Sequence, residues 1–336
     1  MFRKLLVPLD RSMVAEQALL PAASIARALD ADIDLMMVVE PHLFGGGSAS
    51  HRQEEVDNNE RYLEQMTRAL VASGPVTTSH AVLHGRIVDS VLSRARAVDA
   101  DLIVMTSHGR TGLSRAWMGS IADGLVHQSP IPVLMLHATE SGGPQRPIAQ
   151  LVQRILLPLD GATPAAEVLQ SAAALALTAG GHIMLLRVVH PVPQSGFYAG
   201  APLAIPTSAN PFVVPSQVID RTATDRARDE AKEQLGEVAQ QLVALGIPDP
   251  EMRVVVAQNA AQAIVDFVTS HEISMVAMST HGRGSSRLVV GSVADKVLRA
   301  SGLPMLLHRP TGRRPERGMV YGATLAPSMP AVANIN

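Results

Sequence analysis

MTSHGRTGLSRAWMGSIA, residues Met105 to Ala122, decides how the rest of this chain is read. The apolar run Leu102-Ile103-Val104-Met105 reads as a buried strand, and from Gly119-Ser120 a helical pattern sets in with Ile121, Ala122, Leu125 and Val126. Between them, His108-Gly109-Arg110-Thr111-Gly112 breaks the pattern as a loop. Strand, glycine-rich loop and helix start together aim backbone N–H groups at any negative group lying on the helix N-terminus. A glycine's missing Cβ lets the backbone come close to a phosphate. The stretch returns as MSTHGRGSSRLVVGSVA, Met278 to Ala294. An internal repeat of this kind points to two copies of one domain.

The repeat extends outward from these loops. Lys4-Leu5-Leu6-Val7-Pro8-Leu9-Asp10 is an apolar strand ending in an acid, and Arg154-Ile155-Leu156-Leu157-Pro158-Leu159-Asp160 repeats it. A helix follows each. Ser12 and Thr163 suit the N-cap, Pro164 suits the first helical position, and the helices run to about Leu29 and Ala179, with a kink expected at Pro21. Second strands are Ile33–Val39 and His182–Val189, and third strands are Ser79–Leu83 and Met252–Ala257. Longer helices, Gln53–Ser73 and Arg221–Leu245, each end near a glycine, and short ones span Ile87–Ala97 and Ala260–Ser270. Fourth strands are Leu102–Met105 and Ile273–Met278; the last, Val133–Leu136 and Met305–Leu307, follow Pro132 and Pro304. Pro41–Ser50 and the proline-rich Pro191–Gln217 read as irregular loops.

Strands alternating with helices predict an α/β fold: two tandem Rossmann-like domains, each a five-stranded parallel sheet with helices on both faces. The expected divisions are 1–140 for the first domain, 141–152 for a linker, 153–310 for the second domain and 311–336 for a disordered tail. Right-handed crossovers put the C-terminal ends of all strands of a domain on one edge, where such sheets bind ligands. The last strands are candidates for an exposed apolar edge. Pairing one with the other removes it, so the halves are expected to pack as a pseudo-twofold pair within the chain.

Composition narrows the chemistry. A net charge of −2 gives no electrostatic case for nucleic acid or an acidic membrane as partner. Cysteine is absent, which excludes thiolate catalysis, disulfides and Cys-type metal sites. The apolar run before Pro8 is too short for a signal peptide and no run is long enough to span a membrane, so a cytoplasmic location is expected. His108 and His281 have no serine–histidine–acid set or carboxylate pair around them and read as loop residues. His80 and His84 share a strand face without a third ligand and read as exposed side chains, not a metal site. No Gly-x4-Gly-Lys-Ser/Thr loop occurs.

These residues resemble the universal stress protein family, and the similarity covers both halves from about Phe2 to Pro310. Nucleotide-binding members of that family carry Gly-x-x-Gly, nine residues, then Gly-Ser/Thr. Here nine residues separate Gly109 from Gly119-Ser120, eight separate Gly282 from Gly291-Ser292, and Thr106 and Ser279 replace the first glycine. The resemblance implies an adenine-nucleotide site in each half, for ATP, ADP or AMP, with room for a divalent ion such as Mg²⁺ beside the phosphates. By position, Asp10 and Asp160 face the ribose, with Pro8, Leu9, Pro158 and Leu159 beside the adenosine. Val38 and Val188 offer backbone to the adenine edge, and Met105 and Met278 border the base or sugar. Thr106, His108, Gly109, Arg110, Gly119, Ser120, Ile121 and Ala122 form the first phosphate site; Ser279, Gly282, Gly291, Ser292, Val293 and Ala294 form the second. The shorter second loop predicts weaker binding there. Read without the resemblance, Asp10 and Asp160 are equally suited to capping the next helix.

Three function classes follow. The favoured one is a nucleotide-binding stress-response module that senses or signals without significant turnover. The second is a slow adenine-nucleotide hydrolase. The third is a protein-interaction scaffold with degenerate pockets. Family members dimerise through the last strand, which leaves a homodimer of the full chain open; the downstream protein partner is not named by the sequence.

Overall fold

The computed structural model describes residues 2–40, 49–107, 119–137, 146–161, 166–194, 219–280 and 292–309. The first half contains β1 (Lys4–Pro8), α1 (Met13–Glu16), α2 (Leu19–Leu29), β2 (Asp32–Val39), α3 (Ala49–Ala72), β3 (Thr78–His84), α4 (Ile87–Ala97), β4 (Leu102–Thr106), α5 (Ser120–Gln128) and β5 (Val133–Leu136). After α6 (Ile148–Leu151), the second half repeats the pattern. It comprises β6 (Arg154–Leu159), α7 (Ala166–Leu177), β7 (His182–Val189), α8 (Arg221–Ala244), β8 (Glu251–Val256), α9 (Ala260–Ser270), β9 (Met275–Ser279), α10 (Ser292–Ser301) and β10 (Met305–His308). This is the expected α/β fold, built twice.

The strands form a single ten-stranded sheet in the order β3-β2-β1-β4-β5-β10-β9-β6-β7-β8. Neighbours within each half are parallel, whereas β5 and β10 are antiparallel, with Leu134 opposite Leu306. Each half therefore reverses its strand order once, between β1 and β4 and between β6 and β9. Helices cover both faces, which is why the strands read as unbroken apolar runs. Leu5, Val7, Ile33, Leu35, Leu134, Leu306, Ile155 and Leu185 belong to the core on one face. Leu6, Met36, Ile103, Met135, Leu156, Val276 and Met305 belong to the core on the other. Both cores run through the junction of the halves.

Local chemistry explains most boundaries. Ser12 starts α1 by accepting the Ala15 N–H on its hydroxyl at 3.0 Å. The single helix expected up to Leu29 is in fact two, broken at Gln17–Ala18. Pro21 is the cause, but the break lies one turn ahead of it: proline has no N–H for the Gln17 carbonyl, and its ring crowds that group. Thr163 and Pro164, the matching start signals of the second half, lie outside the described residues. Gly74 and Gly246, both at positive φ, follow α3 and α8. Within the stretch read as linker, Ile148 and Leu151 of α6 are buried where that helix packs with α2, and Val152 after it is buried in the same core, so its end is a structural element.

The halves differ at one buried site. In the first, Asp34 on β2 is fully buried and accepts Arg94 Nε at 2.9 Å, Arg94 Nη2 at 2.8 Å and Ser79 Oγ at 2.6 Å. The hydrogen bonds to Asp34 hold the guanidinium more basic than usual, outweighing its burial. In the second half, Met184 and Phe267 occupy the equivalent positions on β7 and α9, and both are buried.

Candidate functional site

Asp10 leaves the C-terminal end of β1 beside β4, where the strand order of the first half reverses. Its Oδ1 accepts the Ser12 N–H at 3.0 Å and the Ser12 hydroxyl at 2.6 Å. The acid thus braces the turn into α1 by way of the capping serine. Arg11, at φ 65°, makes the turn. Behind it, Tyr62 of α3 donates to Glu16 Oε1 at 2.8 Å. Burial first, then Glu16 and Asp10, push the phenol above its ordinary pKa, so it stays a donor. Neither Glu16 nor Tyr62 is flagged by motif or spacing.

Val38 is half-buried near the end of β2, and Leu9 and Met105 are buried along this edge. Thr106, one of the replacements for the family's first glycine, is the last residue of β4 and is buried. It pairs with Leu136 and lies on the same sheet face as Leu102 and Val104, so its side chain is packed into the protein.

α5 supplies a helix N-terminus at this edge. Gly119 is its N-cap at φ −65°, ψ 153°, with no side chain capping the helix. The Gly119 N–H is already given to the Ser107 carbonyl at 3.0 Å, so the donors left in the first turn are those of Ser120, Ile121 and Ala122. Among the described residues, a Cβ at Gly119 would meet only the Ser107 carbonyl oxygen at 3.7 Å, an ordinary contact. The fold of these residues therefore has no need of glycine here. Space beside an uncapped helix start is what an approaching anion needs. Asp123 in the same turn lies 3.5 Å from His127 one turn along.

The second half repeats the layout with changes. Pro158, Leu159 and Asp160 end β6 and leave it, Val188 lies on β7, and Met278 and Ser279 end β9. Ser292, Val293 and Ala294 open α10, with Ala294 buried. β6 runs one residue further than β1, so that Leu159 still pairs with β7, opposite Arg187. Arg187 was not anticipated. Its signal was a lone charge in the apolar run of β7, where the first half has Met37. His108, Gly109, Arg110, Gly282 and Gly291 lie outside the described residues, as do Arg115, Arg283 and Arg287. His80, expected to be exposed, is half-buried with Nδ1 3.4 Å from Thr67 Oγ1, because α3 covers that face of β3. Among the described residues no group of three or more histidine or acidic side chains is placed to hold a metal ion. No described helix is long and apolar enough to cross a membrane.

Doubly wound parallel sheets with an acid and a helix start at the switch point define a class of ligand-binding α/β proteins. The profile of the universal stress protein family matches residues 1–137 and again 152–309, and the chain belongs to that family. Universal stress protein MJ0531 of Methanocaldococcus jannaschii is 28% identical over 141 residues, covering 40% of this chain and 82% of that protein. Universal stress protein Rv2005c of Mycobacterium tuberculosis is 26% identical over 215 residues, covering 63% of this chain and 62% of that protein. The crystal structure of a universal stress protein from Archaeoglobus fulgidus superposes with a TM-score of 0.62 at 18% identity, covering 91% of this chain and 96% of that one. That similarity extends through both halves.

Proposed function

We propose that the chain binds an adenine nucleotide, ATP or its di- or monophosphate, at the switch point of its first half, and works as a sensing or regulatory module without significant turnover. The carrying observation is the start of α5 with no side-chain cap, where among the described residues a Cβ at Gly119 meets no close contact, on the same sheet edge as Asp10. Three first-turn N–H groups and the helix dipole favour phosphate oxygens. A carboxylate at the end of β1 is an acceptor of the kind ribose hydroxyls donate to. The second half is read as a weaker site, because its loop from Gly282 to Gly291 is one residue shorter. Loss of one residue displaces backbone donors by up to ~3.5 Å, far more than hydrogen bonds tolerate. Catalysis is not assigned, since no acid–base pair or activated nucleophile stands among the described residues of the crevice.

The test is mass spectrometry of small molecules released by denaturing natively purified protein, followed by calorimetry with ATP, ADP and AMP. An adenine nucleotide in the released fraction, together with one tight binding event per chain, is the expected result. Absence of any nucleotide, with no heat from any of the three at millimolar concentration, would overturn the proposal. Turnover on the order of 10 per second would replace it with an enzyme.

A further inference from the structure

The second-half site has a device that the first-half site lacks. Arg187 reaches from β7 across the end of β6 and donates Nη1–H to the Leu159 carbonyl at 3.0 Å. Its guanidinium then lies beside Gly161. A Cβ built on Gly161 would stand 2.6 Å from Cζ and 3.0 Å from Nη1, and would collide with Nη2. Gly161 itself is at φ +82°, a conformation that side chains resist. Arginine and glycine are therefore close neighbours, and an added Cβ would push the end of the arginine side chain from its place. Between the two contact points, Leu159 and Gly161, sits Asp160.

The first half solves the same problem otherwise. Arg11 stands where Gly161 does, at φ 65°, and Met37 stands where Arg187 does. There the turn is braced from within, by the two bonds from Ser12 to Asp10. The second half has Ala162 at the serine position. We infer that Arg187 and Gly161 form a clamp that fixes the turn carrying Asp160, making Arg187 a positioning residue for the second-half site. A guanidinium suits the task because its donors form a rigid plane, so one face can pack while an edge donates. The inference rests on the reading of that edge as a nucleotide site, and the measurements below separate the two.

The first measurement is amide hydrogen exchange over residues 155–161 in ligand-free protein, for wild type and for Arg187→Met, Arg187→Lys and Gly161→Ala. The second is calorimetric ATP affinity of the second half, read in a Gly119→Glu background. Arg187→Met is expected to speed exchange around Asp160 about tenfold and to weaken second-half affinity about tenfold, leaving first-half affinity unchanged in the otherwise wild-type chain. Arg187→Lys, which keeps a donor for Leu159, recovers part of both. Gly161→Ala reproduces Arg187→Met, and the double variant adds little, as expected when two residues serve one contact. Unchanged exchange in Arg187→Met overturns the clamp. Faster exchange with unaltered second-half affinity overturns the positioning role. Faster exchange in a protein whose second half binds no ATP even as wild type upholds the clamp and overturns the nucleotide reading of that half.

Discussion

Gly119→Glu separates folding from binding because its two effects are of different size. Among the described residues the added Cβ meets only the Ser107 carbonyl, at 3.7 Å, and the backbone is in an extended conformation open to any residue. A carboxylate at a helix start gains about 0.3–1 kcal/mol from the dipole, while loss of a glycine N-cap to a poorer capping residue costs up to about 1 kcal/mol. Stability should therefore stay within about 1 kcal/mol of wild type. Binding is hit harder. A carboxylate about 4 Å from a bound phosphate is repelled by about 4 kcal/mol at the effective dielectric of a protein surface, roughly a thousandfold in affinity before any steric cost. Calorimetry with ATP, alongside thermal melting followed by circular dichroism, reads both. Gly291→Glu, at the matching position of the second half, should leave the tight event intact. The reasoning fails if Gly119→Glu keeps affinity within tenfold of wild type, if it unfolds the chain, or if Gly291→Glu alone removes the tight event.

Arg94→Met strands the buried Asp34 carboxylate with Ser79 as its remaining described partner and should cost about 3–5 kcal/mol in urea denaturation. Asp34→Met with Arg94→Phe, which copies Met184 and Phe267, should recover most of that loss; a double variant no better than the single refutes the equivalence of the halves. His308 is 3% exposed with Nδ1 unpartnered, and burial holds its imidazole below the ordinary pKa even though Glu167 pulls the other way. The unfolded chain takes up a proton near pH 6.5 that the folded chain refuses. This histidine's contribution to stability is thus complete above that pH and is lost as pH falls toward its folded value. His308→Leu, copying the matching Leu136, should flatten the melting temperature between pH 7 and 5.5, and an unchanged slope would refute it. Leu306→Lys would place an ammonium where the side chain is fully buried at the junction of the halves. It should cost several kcal/mol, and a variant melting with wild type would contradict that burial.

The fold was legible because each signal acts locally. Apolar runs bounded by proline or glycine gave the strands, and α4 and α9 match their expected limits at both ends. What escaped depends on contacts between distant segments. Asp34 looks like a misplaced charge in an apolar strand until Arg94, on another element, is beside it. The break before Pro21 depends on which carbonyl loses its donor, a matter of helix register that composition does not reveal. At the candidate sites, the acids after β1 and β6 and the first turns of α5 and α10 could be named from the repeat alone. Arg187 could not, because its role comes from what lies across the sheet from it.

The antiparallel meeting of β5 and β10 has a geometric consequence for the two strand-end crevices. Strands of the two halves point in opposite directions, so the crevice of one half opens on one rim of the sheet and that of the other half on the opposite rim. A single flat partner can touch one crevice or the other, never both together. The strand-end edges of the two halves thus face different sides of the molecule. Fusing the halves fixes that back-to-back arrangement at a strict one-to-one ratio, whatever the protein concentration.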